Sequence, residues 1–195
     1  TLLAATAATA AAMLAWLLVE KIRDGHATSV GAASGIVAGL VAITPACAAV
    51  DPIWAILLGV IAGAVCALAI ELKYKLGFDD SLDVVGIHLV GGLIGTVYLG
   101  FFATETGLFL GGGWEQLIVQ VIAAVGVLVY SFVVAFIIGF AIQKTMGFRI
   151  KNEDEIMCLK HGAAIVDGIV YIPSGYVGIQ QGTPGNVLLA FEPEN

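Results

Sequence analysis

The chain has 195 residues, 59% of them hydrophobic and only 12% charged, with a net charge of −7 and a mean hydropathy of +1.00. Soluble globular domains carry about 25% charged residues and give their helices a polar outer face, so this composition excludes a water-soluble domain and reads as an integral membrane protein. No basic stripe is present to neutralise phosphates, which excludes nucleic acid as a partner.

Five spans of about 20 residues, the length a bilayer requires, follow one another along the chain. The first, about 2–19, is alanine-rich and begins directly after Thr1 with no basic leader, so it does not read as a signal peptide. "EKIRDGHATS" (20–29) separates it from the second, about 30–50. Gly31, Gly35 and Gly39 recur there every fourth residue, and Thr44-Pro45 predicts a kink or a helix end. Asp51-Pro52 marks a tight turn into the third span, about 53–72, with Gly59 and Gly63. "KYKLGFDDSLD" leads to the fourth, about 84–103, with Gly91 and Gly95. "TETGLFLGGGWEQ" leads to the fifth, about 117–142, with Ala135 and Gly139. Small residues four apart form a flat ridge that lets helix backbones approach closely.

Lys21, Arg23, Lys73, Lys75, Lys144, Arg149, Lys151 and Lys160, all the lysines and arginines, follow the odd-numbered spans and fall on one side. The opposite loops hold only Asp51, Glu105 and Glu115. By the positive-inside rule residue 1 is external and the tail cytoplasmic. An external start for a first span leads us to expect further helices upstream. The expected division is 1–143 as transmembrane helices and 144–195 as a cytoplasmic tail. Within that tail, residues 163–195 have no assigned structure, although their Gly/Pro punctuation and short apolar runs allow brief strands or a loose tail.

Chemistry concentrates at His88, inside "DVVGIHLVGG". On a regular helix it shares a face with Val84, Gly91, Gly92 and Gly95. A ring in hydrocarbon must be hydrogen-bonded or hydrated, and neutral imidazole offers one donor and one acceptor. It can therefore bond across helices as polar glue, or exchange a proton with a small hydrogen-bonding permeant. Ser34 and Thr44 carry hydroxyls that can bond backbone carbonyls of their own helix. Asp80 and Asp83 stand where a helix start favours carboxylates and read as caps. The three tryptophans lie near span ends or in a loop and read as interface or packing residues. Cys47, Cys66 and Cys158 suit neither a zinc site nor a disulfide framework, and read as small hydrophobes. His26 and His161 have no partners at metal spacing, and Gly111-Gly112-Gly113 is not followed by the residues of a phosphate cradle. The reading is therefore of a protein that is not an enzyme and takes no cofactor.

"FDDSLDVVGIHLVGGLIG" closely resembles the tenth helix of the ammonium transporter (Amt/Mep/Rh) family, which carries the second of two pore histidines. "TLLAATAATAAAMLAWLLVEKI" resembles the seventh helix and "SVGAASGIVAGLVAITPACAAVDP" the eighth. The third span falls in register with the ninth, and the fifth, running into "TMGFRIKNEDEI", with the eleventh and the start of the tail. The resemblance covers about residues 1–160. It implies an all-α integral membrane protein whose five helices are about half of an eleven-helix fold built on an inverted repeat. It implies transport of ammonium or ammonia through a hydrophobic pore, with His88 in the histidine pair, Val84 lining the pore one turn earlier and Asp80 at the acidic capping position; it makes Ser34 and Thr44 candidate pore-facing hydroxyls, beside the alternative of bonding within their own helix. It further implies a homotrimer in the lipid bilayer of the cell membrane and a PII-type signal protein at the cytoplasmic face; some family members act mainly as ammonium sensors, and a non-conducting structural membrane fragment is the other alternative. The family's first pore histidine and outer binding residues come from earlier helices. In the tail, Cys158 and Lys160 interrupt the usual Gly-Leu-Asp, and residues 163–195 resemble nothing in the family.

Overall fold

A computed structural model describes residues 1–147 apart from 79 and 81, and the backbone of 164–166, 169–174 and 187–191. The expectations for Arg149, Lys151, Cys158, Lys160 and His161 lie outside the described residues.

Alanine, the strongest helix former, dominates α1 (Leu2–Asp24), which ends at Gly25 in the left-handed conformation (φ 81°). Thr28 caps α2 (Ser29–Ile43), its Oγ1 accepting from the Gly31 N–H at 2.8 Å. Helix α2 stops well short of the 30–50 predicted for the second span. Pro45 has no N–H to bond the carbonyl four residues back, so the helical bonding ends with Thr44 N–H on Leu40 O and continues as turns to Val50. Fifteen residues give a helix of only about 22 Å. Pro52, free of any helical bonding obligation in the first turn, opens α3 (Pro52–Ala69). The short α4 (Leu72–Leu76) follows and ends at Gly77, also left-handed. A π-helical turn (Val85–Leu89) runs directly into α5 (Val90–Phe102), and α6 (Trp114–Thr145) is the longest helix. Among the described residues four segments are long and apolar enough to cross a membrane: Leu2–Asp24, Pro52–Leu76, Val85–Phe102 and Trp114–Thr145.

The chain divides into two units, Thr1–Tyr130 and Ser131–Asn195. In the first, α1 lays a stripe of Ala4, Ala8, Ala12 and Trp16, one residue per helical turn, into the interior. Gly35 and Gly39 of α2 sit over Met13, Trp16, Ala12 and Thr9, and Gly59 and Gly63 of α3 sit on the backbone of Ala8 and Ala12. Any side chain at those glycines would collide with α1, so the seam closes to backbone contact. Gly95 does the same for α5 against Ala42 of α2. Two apolar clusters result. One joins Ala8, Ala42, Leu58 and Tyr98; the other joins Trp16, Ala38, Cys66, Ala67 and Ile87. Trp16 is thus a core residue. Tyr98 donates its hydroxyl to Trp54 O at 2.8 Å and stacks on Phe102, tying the end of α5 to the start of α3.

Helix α6 has no buried residue. In the second unit its Phe132, Phe136 and Phe140 stack on successive turns with centroids 6.3 Å apart. The same unit holds a three-stranded antiparallel sheet, β1 (Ala164–Val166), β2 (Ile169–Ser174) and β3 (Val187–Phe191), in that order, with Ile165 opposite Val170 and Ile172 opposite Leu189.

Candidate functional site

The segment that presents His88 is assembled from an unusual start. Both oxygens of the Asp80 carboxylate accept backbone bonds, from Val84 N–H and Val85 N–H, each at 2.8 Å. That satisfies two donors which a helix N-terminus leaves open. Asp83 does something different: its carboxylate accepts from Lys73 Nζ at 2.5 Å rather than from a helix N–H. Its backbone lies in the left-handed region, with φ 56°, a conformation that costs most L-residues energy but that aspartate tolerates. Its carbonyl then accepts Ile87 N–H at 2.8 Å.

From here the backbone widens. Val90 N–H reaches back five residues to Val85 O, the bond that defines a π-helix. Gly86 lies against the backbone of Ile70, where a Cβ would overlap it. Ile87 is buried at 5% exposure, and the Cys66 thiol lies 3.9 Å from its carbonyl. The turn is thereby fixed on α3, and His88, one residue further on, faces away from it and is exposed.

A regular α-helix would put His88 on the ridge of Gly91 and Gly95. The structure separates them. Gly91 and Gly95 are buried, Gly91 near Cys66 and Val41 and Gly95 against Ala42, while a Cβ added at the half-buried Gly92 would meet no other element within 4 Å among the described residues. The extra residue in the π turn shifts the angular register, so the imidazole leaves the packed face.

His88 opens instead onto a cleft of about 390 Å³ lined by Ser29, Val30, Ala33, Ser34 and Val37 of α2 and by Leu82 and Ile87. His88 and Ser34, both singled out in the sequence, are brought together here. Val84 and Thr44 are not. Val84 is exposed one turn before His88, outside the cleft lining, and Thr44 lies beyond the far end of α2 with its Oγ1 donating to Leu40 O at 2.6 Å. Among the described residues no group hydrogen-bonds the His88 ring or the Ser29 and Ser34 hydroxyls. The cleft is an apolar pocket with three hydrogen-bonding groups available to something small.

Three residues of this architecture were missed in the sequence: Ser29, Lys73 and Glu20. Glu20 is 8% exposed, yet its carboxylate accepts from Trp16 Nε1 (3.3 Å), Thr28 N–H (3.0 Å) and Thr28 Oγ1 (3.1 Å). It joins the end of α1 to the cap of α2 and so sets the turn that carries Ser29. The signal was available in the i, i+4 spacing of Trp16 and Glu20 and in the threonine before the α2 glycines. Nearby, Arg23 pairs with Glu71 at 3.0 Å and donates to Ala67 O, fastening α1 to the end of α3.

Known proteins resemble this chain in sequence and in fold. The sequence model of the Ammonium Transporter Family matches residues 1–163. An ammonium transporter of Mycobacterium tuberculosis is 53% identical over 167 residues, covering 80% of this chain and 35% of that protein. A putative ammonium transporter of Methanothermobacter thermautotrophicus is 42% identical over 158 residues, covering 77% of this chain and 39% of that protein. The crystal structure of Candida albicans Mep2 superposes with a TM-score of 0.71 at 32% identity, covering 78% of this chain and 36% of that one. The chain thus spans little more than a third of the length of the relatives it matches. Membrane-spanning apolar helices, a glycine–alanine seam, the match over most of the chain and these likenesses converge on one conclusion: the chain belongs to the ammonium transporter family.

Proposed function

We propose that this chain forms the C-terminal part of a pathway that carries ammonium or ammonia across a cell membrane, with His88 as its hydrogen-bonding and proton-handling group. The observation that carries the reading is the His88–Ser34 cleft, where an imidazole held by a fixed π turn meets a hydroxyl among apolar side chains. Bare ammonium is costly to move through an apolar passage. The neutral imidazole accepts a proton from ammonium on its free ring nitrogen, leaving ammonia to advance, and the imidazolium regains its neutral form by giving a proton from its other nitrogen to a hydrogen-bonded water. Val84 one turn before, and Thr44 beyond the end of α2, extend the same route in this reading. Asp80 and Asp83 shape its start, not its chemistry.

The experiment joins residues 1–195 to the N-terminal portion of the Mycobacterium tuberculosis relative, in cells lacking other ammonium transporters, and measures methylammonium uptake. The chimera is expected to take it up, and His88→Ala to lose at least about tenfold of the rate, about 1.4 kcal/mol of barrier. Uptake unchanged by His88→Ala removes His88 from the pathway.

A second reading, ammonium sensing, draws on a TM-score of 0.72 at 27% identity to the solved structure of a sensor Amt protein. It expects little flux but an ammonium-dependent change in proteolysis of the tail; a conducting chimera whose tail ignores ammonium excludes it. Both readings place the C-terminal tail in the cytoplasm and carry a homotrimer and a PII-type partner at that face. The exposed apolar flank of α6 supports the association. Cross-linking in membranes that yields only monomers would remove the trimer, and external protease reaching the tail would reverse the orientation.

A further inference from the structure

Lys73 is used by nothing in the pathway as described, yet it is almost buried. Its side chain is 10% exposed and that of Asp83 13%. It reaches from α4 to both ends of the turn that precedes the π-helix, donating to Asp80 O at 3.1 Å and to the Asp83 carboxylate at 2.5 Å. That turn contains the left-handed Asp83, and the carbonyl of Asp83 takes the first bond of the segment, from Ile87 N–H. A strained non-glycine residue persists where its surroundings over-determine it, and Lys73 supplies that constraint. If Asp83 relaxed to an ordinary conformation, the helix could restart one residue out of register. One residue of helix is about 100° of rotation, enough to swing the imidazole from the Ser34 cleft toward the packed face of Gly91 and Gly95.

We propose that Lys73 is a positioning residue for His88: its ammonium clamps the Asp80–Asp83 turn in the form that starts the π-helix and so directs the imidazole into the cleft. The inference rests on the pathway reading only for its functional consequence. The clamp explains why Asp80 and Asp83, three residues apart, take different tasks. One carboxylate is spent on helix N–H groups and the other on the lysine. It also links the ring to the end of α3 by a second route besides Gly86 on Ile70.

The test reads the ring itself. In a His26→Gln, His161→Gln background, His88 is the only histidine, and its 15N ring resonances are recorded for this chain in lipid nanodiscs. Lys73→Met is expected to move or broaden them, and Lys73→Arg, which keeps both donors, to leave them in place. In the chimera, Lys73→Met is expected to lower the maximal uptake rate several-fold while the half-saturating concentration stays the same. Unmoved resonances in folded Lys73→Met overturn the proposal. If that variant does not fold, Asp83→Gly replaces it. Glycine adopts positive φ freely, so the backbone is accommodated while the ion pair is lost; the proposal expects the ring to move, and a ring that stays overturns it. A moved ring alongside normal uptake by His88→Ala supports the clamp and overturns the pathway reading. An unmoved ring alongside lost uptake does the reverse.

Discussion

The seam of α1 with α2 and α3 and the cleft around His88 draw on the same residue types and use them in opposite ways. In the seam, glycines carry backbone against backbone, and the one buried acid, Glu20, has bonds from Trp16 and Thr28. At the cleft, His88 and Ser34 have no hydrogen-bond partner among the described residues, and one turn on, a side chain at Gly92 would meet no neighbouring element there. Satisfied contacts give a seam its stability, since each unmade buried bond is costly. Unused hydrogen-bonding capacity contributes little to stability and is what a permeant needs. The contrast assigns holding to one region and handling to the other, and substitutions can break it.

The largest effect is expected in the seam. A Cβ at Gly63 would overlap Ala12 O and the backbone around it, and backbone cannot swing aside as a flexible side chain does. Gly63→Val should destabilise by about 3 kcal/mol or more through overpacking, read as a fall in the unfolding midpoint in detergent. A midpoint within error of the parent would mean that the helices do not pack this closely. Glu20→Ala comes next. It strips the acceptor from the Trp16 indole and the Thr28 N–H, and leaving buried donors unpaired costs roughly 2 kcal/mol. Glu20→Gln, which keeps one acceptor oxygen, should lose clearly less. Equal losses in the two variants would show that shape rather than bonding makes Glu20 matter at the seam.

Much of this division was legible in residue spacing. The four-residue glycine repeats gave the packing of α2, α3 and α5 because a helix returns to the same face near that interval, whatever the surroundings. Pro45 announced the end of α2, since a missing N–H acts locally. The orientation of His88 was not legible. It depends on a π turn, which no short-range preference in "VVGIHLVG" encodes; the turn follows from Lys73 ten residues upstream of Asp83 and from Ile70 under Gly86. The same distance effect hid the difference between the two aspartates. Both look like caps by position, and only the lysine's reach decides which of them is one. Thr44 shows the remaining ambiguity: a hydroxyl near a helix end can face a path or bond its own backbone, and here it bonds Leu40 O.

On α5 itself the contrast narrows to two glycines. Gly95 meets Ala42 O, whereas Gly92, less than one turn away, is open. Gly92→Ala should therefore stabilise by about 0.5–1 kcal/mol, because alanine loses less freedom in a helix than glycine. A loss of stability instead would place something against that face in the folded assembly.

The smallest expected change in stability belongs to His88, and it carries the most information. The ring is exposed and has no hydrogen-bond partner among the described residues, so His88→Ala should shift stability by no more than about 0.5 kcal/mol, as at a surface site, while abolishing most methylammonium uptake. Glu20 is the matching control, because it is polar, near a helix end and bonded. If His88→Ala proved as destabilising as Glu20→Ala, the histidine would be part of the seam after all and its loss of uptake would report a damaged fold. If His88→Ala left stability alone and removed uptake, the energy of the ring would be spent on the permeant and not on the protein, which is the distinction between the two regions expressed in a single residue.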